Sequence, residues 1–229
     1  MAVRSAFALG LHRKESLSAI PVSQREVRRN LWKTLVILDR FLSASLGRPT
    51  AINEDDCSES LLDPSEPPQD PGTGEARDLV VHVQGLNDVV RSSQVIGTIL
   101  KRVYSKRKVT TALAQEIVNK TRHWSAKLHP DLHWKRACKP LTPAHGIALL
   151  HTNLFQCHTT ILLTRPFFLF MIHKTQAARM SGEPASSVHV RSKLEKFSSA
   201  CVEVSNNSIL LVQRAYHDKY LSRRNPFVL

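Results

Sequence analysis

Glycine is sparse in this sequence, at 8 of 229 residues, and aromatic residues make up only 6 % of it. Runs that alternate apolar and polar residues, the mark of a half-buried strand, are hard to find. Both scarcities argue against a sheet and for helices. Cysteine is equally thin: Cys57, Cys138, Cys157 and Cys201 stand far apart with no paired spacing. That excludes a disulfide framework and suits a reducing compartment. The most apolar run, Ile161 to Ile172, is broken by Arg165-Pro166 and is too short to cross a bilayer. The start, Met1 to Phe7, has neither the apolar stretch nor the cleavage signature of a signal peptide. The chain therefore reads as soluble. No Walker loop, G-x-G-x-x-G, G-x-S-x-G or H-E-x-x-H occurs. With no positive case for an enzyme, no residue is assigned a catalytic, cofactor-binding or metal-binding role.

What is present in excess is positive charge, +13 overall, and it is unevenly spread. Nine acids and a single base, Arg77, lie between Glu54 and Asp78, whereas bases concentrate from Lys101 to Lys139. Such a balance fits a nuclear setting beside nucleic acid or an acidic partner. Solvated helix faces and one acidic loop produce the same totals. The acidic stretch also carries Pro64, Pro67, Pro68 and Pro71 with Gly72 and Gly74. That composition cannot bury a core and predicts a long loop over 53–77.

Helical spacing dominates elsewhere. Residues 2–12 read as the tail of a helix, and a helix starting at the first methionine suggests a fragment of something longer. Ser23 and Glu26 match a capping box, with Val22 and Val27 placed for a hydrophobic staple. Leu31, Leu35, Leu38 and Leu42 then give one apolar face, closed by Gly47 and Pro49. Leu79, Val83, Leu86 and Val90 restart the period, and Ile96, Leu100 and Val103 continue it after a shift. A helix over about 111–128 comes next, with Leu113, Ile117, Trp124 and Leu128 on one face and a Glu116–Lys120 pair. Thr142-Pro143 is a helix start, with Thr as cap and Pro in the first position. Ile147, Leu150, Leu154 and Ile161 mark a long, mostly buried helix that Pro166 should kink or end. The last helix shows Val190, Leu194, Phe197, Cys201, Val204, Ser208 and Leu211 on a narrow face. The expectation is all-α: an irregular multi-helix bundle with a long acidic, proline-rich loop.

Several polar groups invite a functional reading. His129, His133 and Cys138 would converge on a helix, but Pro130 favours a turn, and structural zinc sites show tighter ligand pairs. His151 and His158 lie seven apart with Phe155 between them, which suits either a pocket lining or partly buried histidines bonded to neighbours. Asp39, beside the apolar face, is costly to bury unless paired; Arg48 or Arg165 is the expected partner. Arg25, Arg28 and Arg29 read as a solvated face, and Arg223-Arg224 is a further basic pair.

Taken together, Ala6-Phe7-Ala8-Leu9-Gly10-Leu11-His12-Arg13, then Gln24 to Trp32, Leu38-Asp39-Arg40-Phe41-Leu42-Ser43, Leu46-Gly47-Arg48-Pro49 and Ile52 form a recognisable series. In order and spacing the series resembles the fungal-specific transcription factor domain, the middle homology region of zinc-cluster regulators. Leu149-Leu150-His151, Ile161-Leu162-Leu163 and Arg165-Pro166-Phe167 resemble that family's second half. Lys33, where an aromatic is common, and Val36, where Tyr is frequent, depart from the pattern. The resemblance implies one regulatory domain over 1–220, truncated at its N-terminal side, with a tail at 221–229. It implies a nuclear transcription regulator answering to co-regulators or a small-molecule effector, able to pair as a homodimer and without membrane attachment. Zinc and DNA contact would belong to a binuclear six-cysteine cluster missing from this chain. The competing readings are a basic module binding nucleic acid through Lys101 to Lys139, and a helical enzyme with a pocket near His151 and His158.

Overall fold

The computed structural model describes residues 1–18, 20–58, 62–64, 74–125, 128–135, 142–181 and 193–221, with backbone alone at 22, 54, 74–77, 123–125, 178 and 181. These residues form helices α1 (Ala2–Ala8), α2 (Glu15–Ser18), α3 (Val22–Leu46), α4 (Gly74–Ile99), α5 (Thr111–Ser125), α6 (Pro143–Ser181) and α7 (Lys193–His217). No strand occurs among the described residues, so the all-α expectation holds. The chain divides into two compact units, Met1–Gly97 and Thr98–Leu229.

The first unit is built on α3. The helix is where the sequence places it, but its buried face is not. Trp32, Lys33, Val36, Ile37, Arg40 and Ser43 are buried, whereas Leu31 and Leu42 are 50 % and 49 % exposed. Trp32, Val36 and Ile52 join Ala6, Leu11 and Leu17 in one core, with Phe7 and Leu35 packed against it. Apolar residues alone single out the leucine row; the core instead includes two cations whose heads find partners. The entry to α3 differs too. Pro21 stands before the first turn with no side-chain cap, so Ser23 lies inside the helix and the capping box does not form. Val27 is 67 % exposed and buries nothing as a staple; the side chain of Val22 lies outside the described atoms. At the other end Gly47 takes φ 64° and the N–H of Arg48 after it reaches Ser43 O at 3.1 Å, the left-handed stop expected of a glycine there.

The segment expected to be a loop over 53–77 is described only in part. A 3-10 turn occupies Glu54–Asp56, and α4 already begins at Gly74; residues 59–61 and 65–73 lie outside the described set. The buried side of α4 runs through Val81, Gly85, Asp88, Ser92, Ile96 and Ile99, while Leu79 is exposed and Val83 and Leu86 are half-buried. Of the expected face Val90 and Ile96 are buried; the small and polar residues buried with them are what hydropathy does not announce.

In the second unit a π-helical turn, Leu100–Tyr104, extends α4 and leads to α5. Helix α5 is capped by Thr110 Oγ1, which accepts from Leu113 N at 3.2 Å. Thr142 Oγ1 accepts from His145 N at 3.2 Å, the expected cap of α6. Helix α6 does not end at Pro166 but runs on to Ser181. Proline has no N–H for the carbonyl four residues back, that of Leu162. The Tyr104 hydroxyl donates to Leu162 O at 2.9 Å, supplying the missing donor. Helix α7 packs as its spacing predicts, with Phe197, Cys201, Leu211 and Ala215 buried; Val190 lies outside the described residues. Phe197 stacks on Phe167 at 4.9 Å and 21°. Near the start of α6, a Cβ on Gly146 would meet the Tyr220 ring at 2.5 Å, so that ring lies on bare backbone. The short turn Pro130–Leu132 is held by His145 Nε2 on Asp131 O at 3.1 Å and by Asn153 Nδ2 donating to Leu132 O at 2.7 Å. Arg214 of α7 donates to Trp134 O close by.

Replacing Tyr104 by Phe keeps the ring and removes the donor. Leaving Leu162 O unpaired should cost about 1–3 kcal/mol, measured by urea unfolding; an unchanged midpoint would mean that solvent serves the carbonyl equally well.

Candidate functional site

The signature residues of the first fifty positions converge in space. Gly10 sits at φ 67°, where a Cβ would come within 2.5 Å of Ser16 Oγ, so glycine alone closes the turn after α1. His12 is next, buried against Phe7 and Trp32 with ring centroids 4.6 and 6.3 Å away. Burial, with Arg13 adding to it and Asp56 opposing, holds His12 below the usual histidine range. Its Nε2 accepts from Arg13 Nε at 3.1 Å. Its carbonyl accepts from Ser58 N at 3.0 Å, which ties the start of the acidic segment to this turn.

Two of the three arginines expected on a solvated face, Arg25 and Arg28, are half-buried fasteners instead. Arg28 donates to Leu9 O at 2.8 Å, and Arg25 donates to Ile20 O at 2.9 Å. Helix ends leave carbonyls without internal partners, and long cations beside them supply the donors.

Asp39 is paired, but with neither Arg48 nor Arg165. Its carboxylate meets Arg40 at 2.8 Å, with both side chains more than nine-tenths buried. It also accepts from Ala51 N at 2.9 Å and Ile52 N at 3.2 Å, while Arg40 donates to Ile52 O at 2.9 Å. The two neighbouring residues thus clamp both polar groups of Ile52, which is itself 1 % exposed. A charged pair in a dry site needs this many hydrogen bonds to offset its desolvation.

Lys33 is the functional-looking group that sequence reasoning misses. It is fully buried on α3 and donates to Asn87 Oδ1 of α4 at 3.3 Å. Burial, reinforced by Arg29 and opposed by Asp63 and Glu26, brings its ammonium down to about 8. Its departure from the aromatic common at this place is the signal that could have found it.

His129 Nδ1 accepts from Asp131 N at 3.3 Å and caps the Pro130–Leu132 turn. His133 is half-buried, and Cys138 lies outside the described residues. Among the described residues no three His, Cys, Asp or Glu come together as metal ligands. These residues and the scattered cysteines do not fit a zinc cluster. His151 and His158 are half-buried on α6 with Phe155 buried between them, and burial keeps His158 below its ordinary range. A surface depression of about 610 Å³ lies in the first unit, lined by Arg13, Glu15, Asp55, Asp56 and Cys57 among others. Its walls carry both charges and little apolar surface, unlike a small-molecule pocket. No helix among the described residues is long and apolar enough to cross a membrane.

The basic stretch is exposed at Lys101, Lys106, Arg107, Lys108, Lys120, Arg122 and Lys135. Arg102 is committed to Glu116 by two bonds, 2.7 and 3.1 Å. The Glu116–Lys120 pair expected on α5 is a loose 4.0 Å contact.

Residues 1–134 match the family model described as the fungal specific transcription factor domain. The chain belongs to that family. The match takes in every fastener of the first unit, from Gly10 to Ile52, and the basic stretch as far as Trp134. The chain is similar to Filamentous growth regulator 27 of Candida albicans, 25 % identical over 230 residues, covering 94 % of this chain and 27 % of that protein. It is similar to the Acetamidase regulatory protein of Aspergillus fumigatus, 34 % identical over 166 residues, covering 72 % of this chain and 20 % of that one. Cutinase transcription factor 1 alpha of Fusarium vanettenii is 28 % identical over 176 residues, covering 67 % and 17 %. The chain thus spans about a quarter or less of the length of these curated relatives. No solved structure matches.

For this fungal transcription factor domain the clamp and the lysine each generate a test. Asp39→Asn keeps the size but leaves the Arg40 cation buried without its counter-charge. It should cost about 3–5 kcal/mol in denaturant unfolding; no loss would mean that the site admits water. Lys33 gives a pH signature. Its ammonium releases a proton near 8 when folded but only near about 10.4 when unfolded. Between those values the unfolded chain binds the extra proton, so stability rises with pH, by about 2–3 kcal/mol over the window. Lys33→Met should flatten that rise, and a flat profile in the unaltered chain would show Lys33 to be solvated.

Proposed function

We propose that this chain is the regulatory region of a fungal zinc-cluster transcription factor, acting in the nucleus and having no catalysis of its own. Membership of the fungal transcription factor domain family carries the reading. The chemistry of the site supports it: His12, Asp39, Arg40, Arg25 and Arg28 are each engaged in closing the fold. A domain whose polar residues are spent in this way acts by presenting surfaces and by its own stability. DNA reading falls to a binuclear zinc cluster elsewhere in the parent protein, where a helix enters the major groove. Co-regulators or a small-molecule effector then set the output, and pairing of two parent chains sets the half-site spacing.

The test is a reporter assay with a heterologous DNA-binding domain, fused or not to the 229 residues. The fusion should change output on the order of fivefold or more in either direction, the scale of a regulatory coupling. Equal output from both, in the host fungus and on several carbon and nitrogen sources, would overturn the regulatory reading.

A further inference from the structure

We propose that the turn after the π-helical segment, Lys106-Arg107-Lys108, with Lys120 of α5, contacts the phosphate backbone of DNA in a sequence-independent way. This inference rests on the transcriptional reading above, since it supplies the polyanion beside which the domain works.

Five of the eight residues from Lys101 to Lys108 are basic and none is acidic. The nearby carboxylate, Glu116, is committed to Arg102 and reaches Lys120 only at 4.0 Å. Among the described residues, no ion pair engages Lys106, Arg107 or Lys108, and all three are exposed. A helix C-terminus favours one or two cations through its dipole, but not a run of this density.

The backbone of the turn adds an independent observation. Arg107 sits at φ 48°, in the left-handed region. Glycine closes a helix there without steric cost, and this chain places a charged side chain in that position instead. Strain tolerated at one residue points to what its side chain does. The amides of the turn are already used, Arg107 N on Tyr104 O and Lys108 N on Val103 O, each at 3.2 Å. No nest of free N–H groups is therefore available to grip a single anion. What faces solvent is a group of point charges, which suits phosphates and reads no bases.

The experiment measures the affinity of the full 229-residue chain for a random-sequence duplex between about 50 and 200 mM salt. It compares Lys106→Gln/Arg107→Gly/Lys108→Gln with a control of equal charge, Lys14→Gln/Lys193→Gln/Lys196→Gln, whose lysines are also exposed. Three lost phosphate contacts should reduce the slope of log affinity against log salt by about 3, with affinity down at least about tenfold at roughly 100 mM. The control should keep its slope within one unit of the unaltered chain. Arg107→Gly is compatible with the turn, so urea unfolding should show the variant at least as stable. The proposal is overturned if both triples lower the slope alike, since binding would then depend on net charge alone. Absence of DNA binding overturns it too. So does polyglutamate of matched charge displacing the DNA at equal or lower concentration, which would assign the turn to an acidic protein. The reporter assay borrows its DNA contact from elsewhere, so it can succeed or fail independently of this result.

Discussion

The burial of the Asp39–Arg40 pair is the constraint on which the first unit depends. Two opposite charges adjacent in sequence would gain little from each other in water, where an exposed ion pair contributes about 0–1 kcal/mol. Here both are dry, and the remaining capacity of each is directed at a stretch of chain twelve residues on. The carboxylate takes two amides and the guanidinium one carbonyl. Ile52 is drawn under the helix as a result, beside Trp32 and Val36. Gly47 makes this possible, because only a reversal directly after α3 brings residues 51 and 52 back along its side. The leucine, aspartate, arginine, glycine and proline of the family signature are therefore one mechanical unit: a helix, a stop, and a clamp that folds the stop back.

The second unit meets the same problem of unpaired backbone groups with different residues. Its long helix contains a proline, and the tyrosine that serves the orphaned carbonyl comes from a π-helical turn far away in sequence. The extra residue of such a turn rotates the later side chains around the helix axis, and here it accompanies the placement of the Tyr104 hydroxyl. Asn153, His145 and Arg214 act likewise on the carbonyls of 131, 132 and 134. In each unit, side chains bonded to main-chain groups secure the irregular points.

Much of this architecture is legible in the residues, and the failures have a common cause. Periodicity and stop signals locate the helices: Gly47, Thr142 and the narrow seam of α7 are where they are expected. Faces are read less well. On α3 Leu31 and Leu42 of the leucine row are exposed, and Lys33 and Arg40 lie inside. On α4 Gly85, Asp88 and Ser92 are buried along with the expected Val90 and Ile96. Hydropathy treats a lysine or a serine as outward by default, whereas burial is decided by whether a partner waits at the right distance, and that partner is remote in sequence. Asp39 shows the same limit: its need for a cation is readable, but the sequence points to more distant arginines and past Arg40. Residues adjacent in a helix point in different directions, and only the curl of the chain back to Ile52 makes the pair profitable. Where the family signature ends, little in the sequence announces the fastenings of the second unit, apart from Pro166 and the expected cap at Thr142.

The contact between Gly146 and Tyr220 has a consequence for how this chain can change over generations. A ring resting on bare backbone leaves no room for the smallest side chain, so an alanine at 146 is harmful while the tyrosine remains. Once the tyrosine has become smaller, the same alanine is harmless and favours the helix. The order of events matters: the substitution at 220 opens the path and the one at 146 comes second. Relatives that have travelled it should differ at both positions together, joining two distant points of the chain in a single historical step.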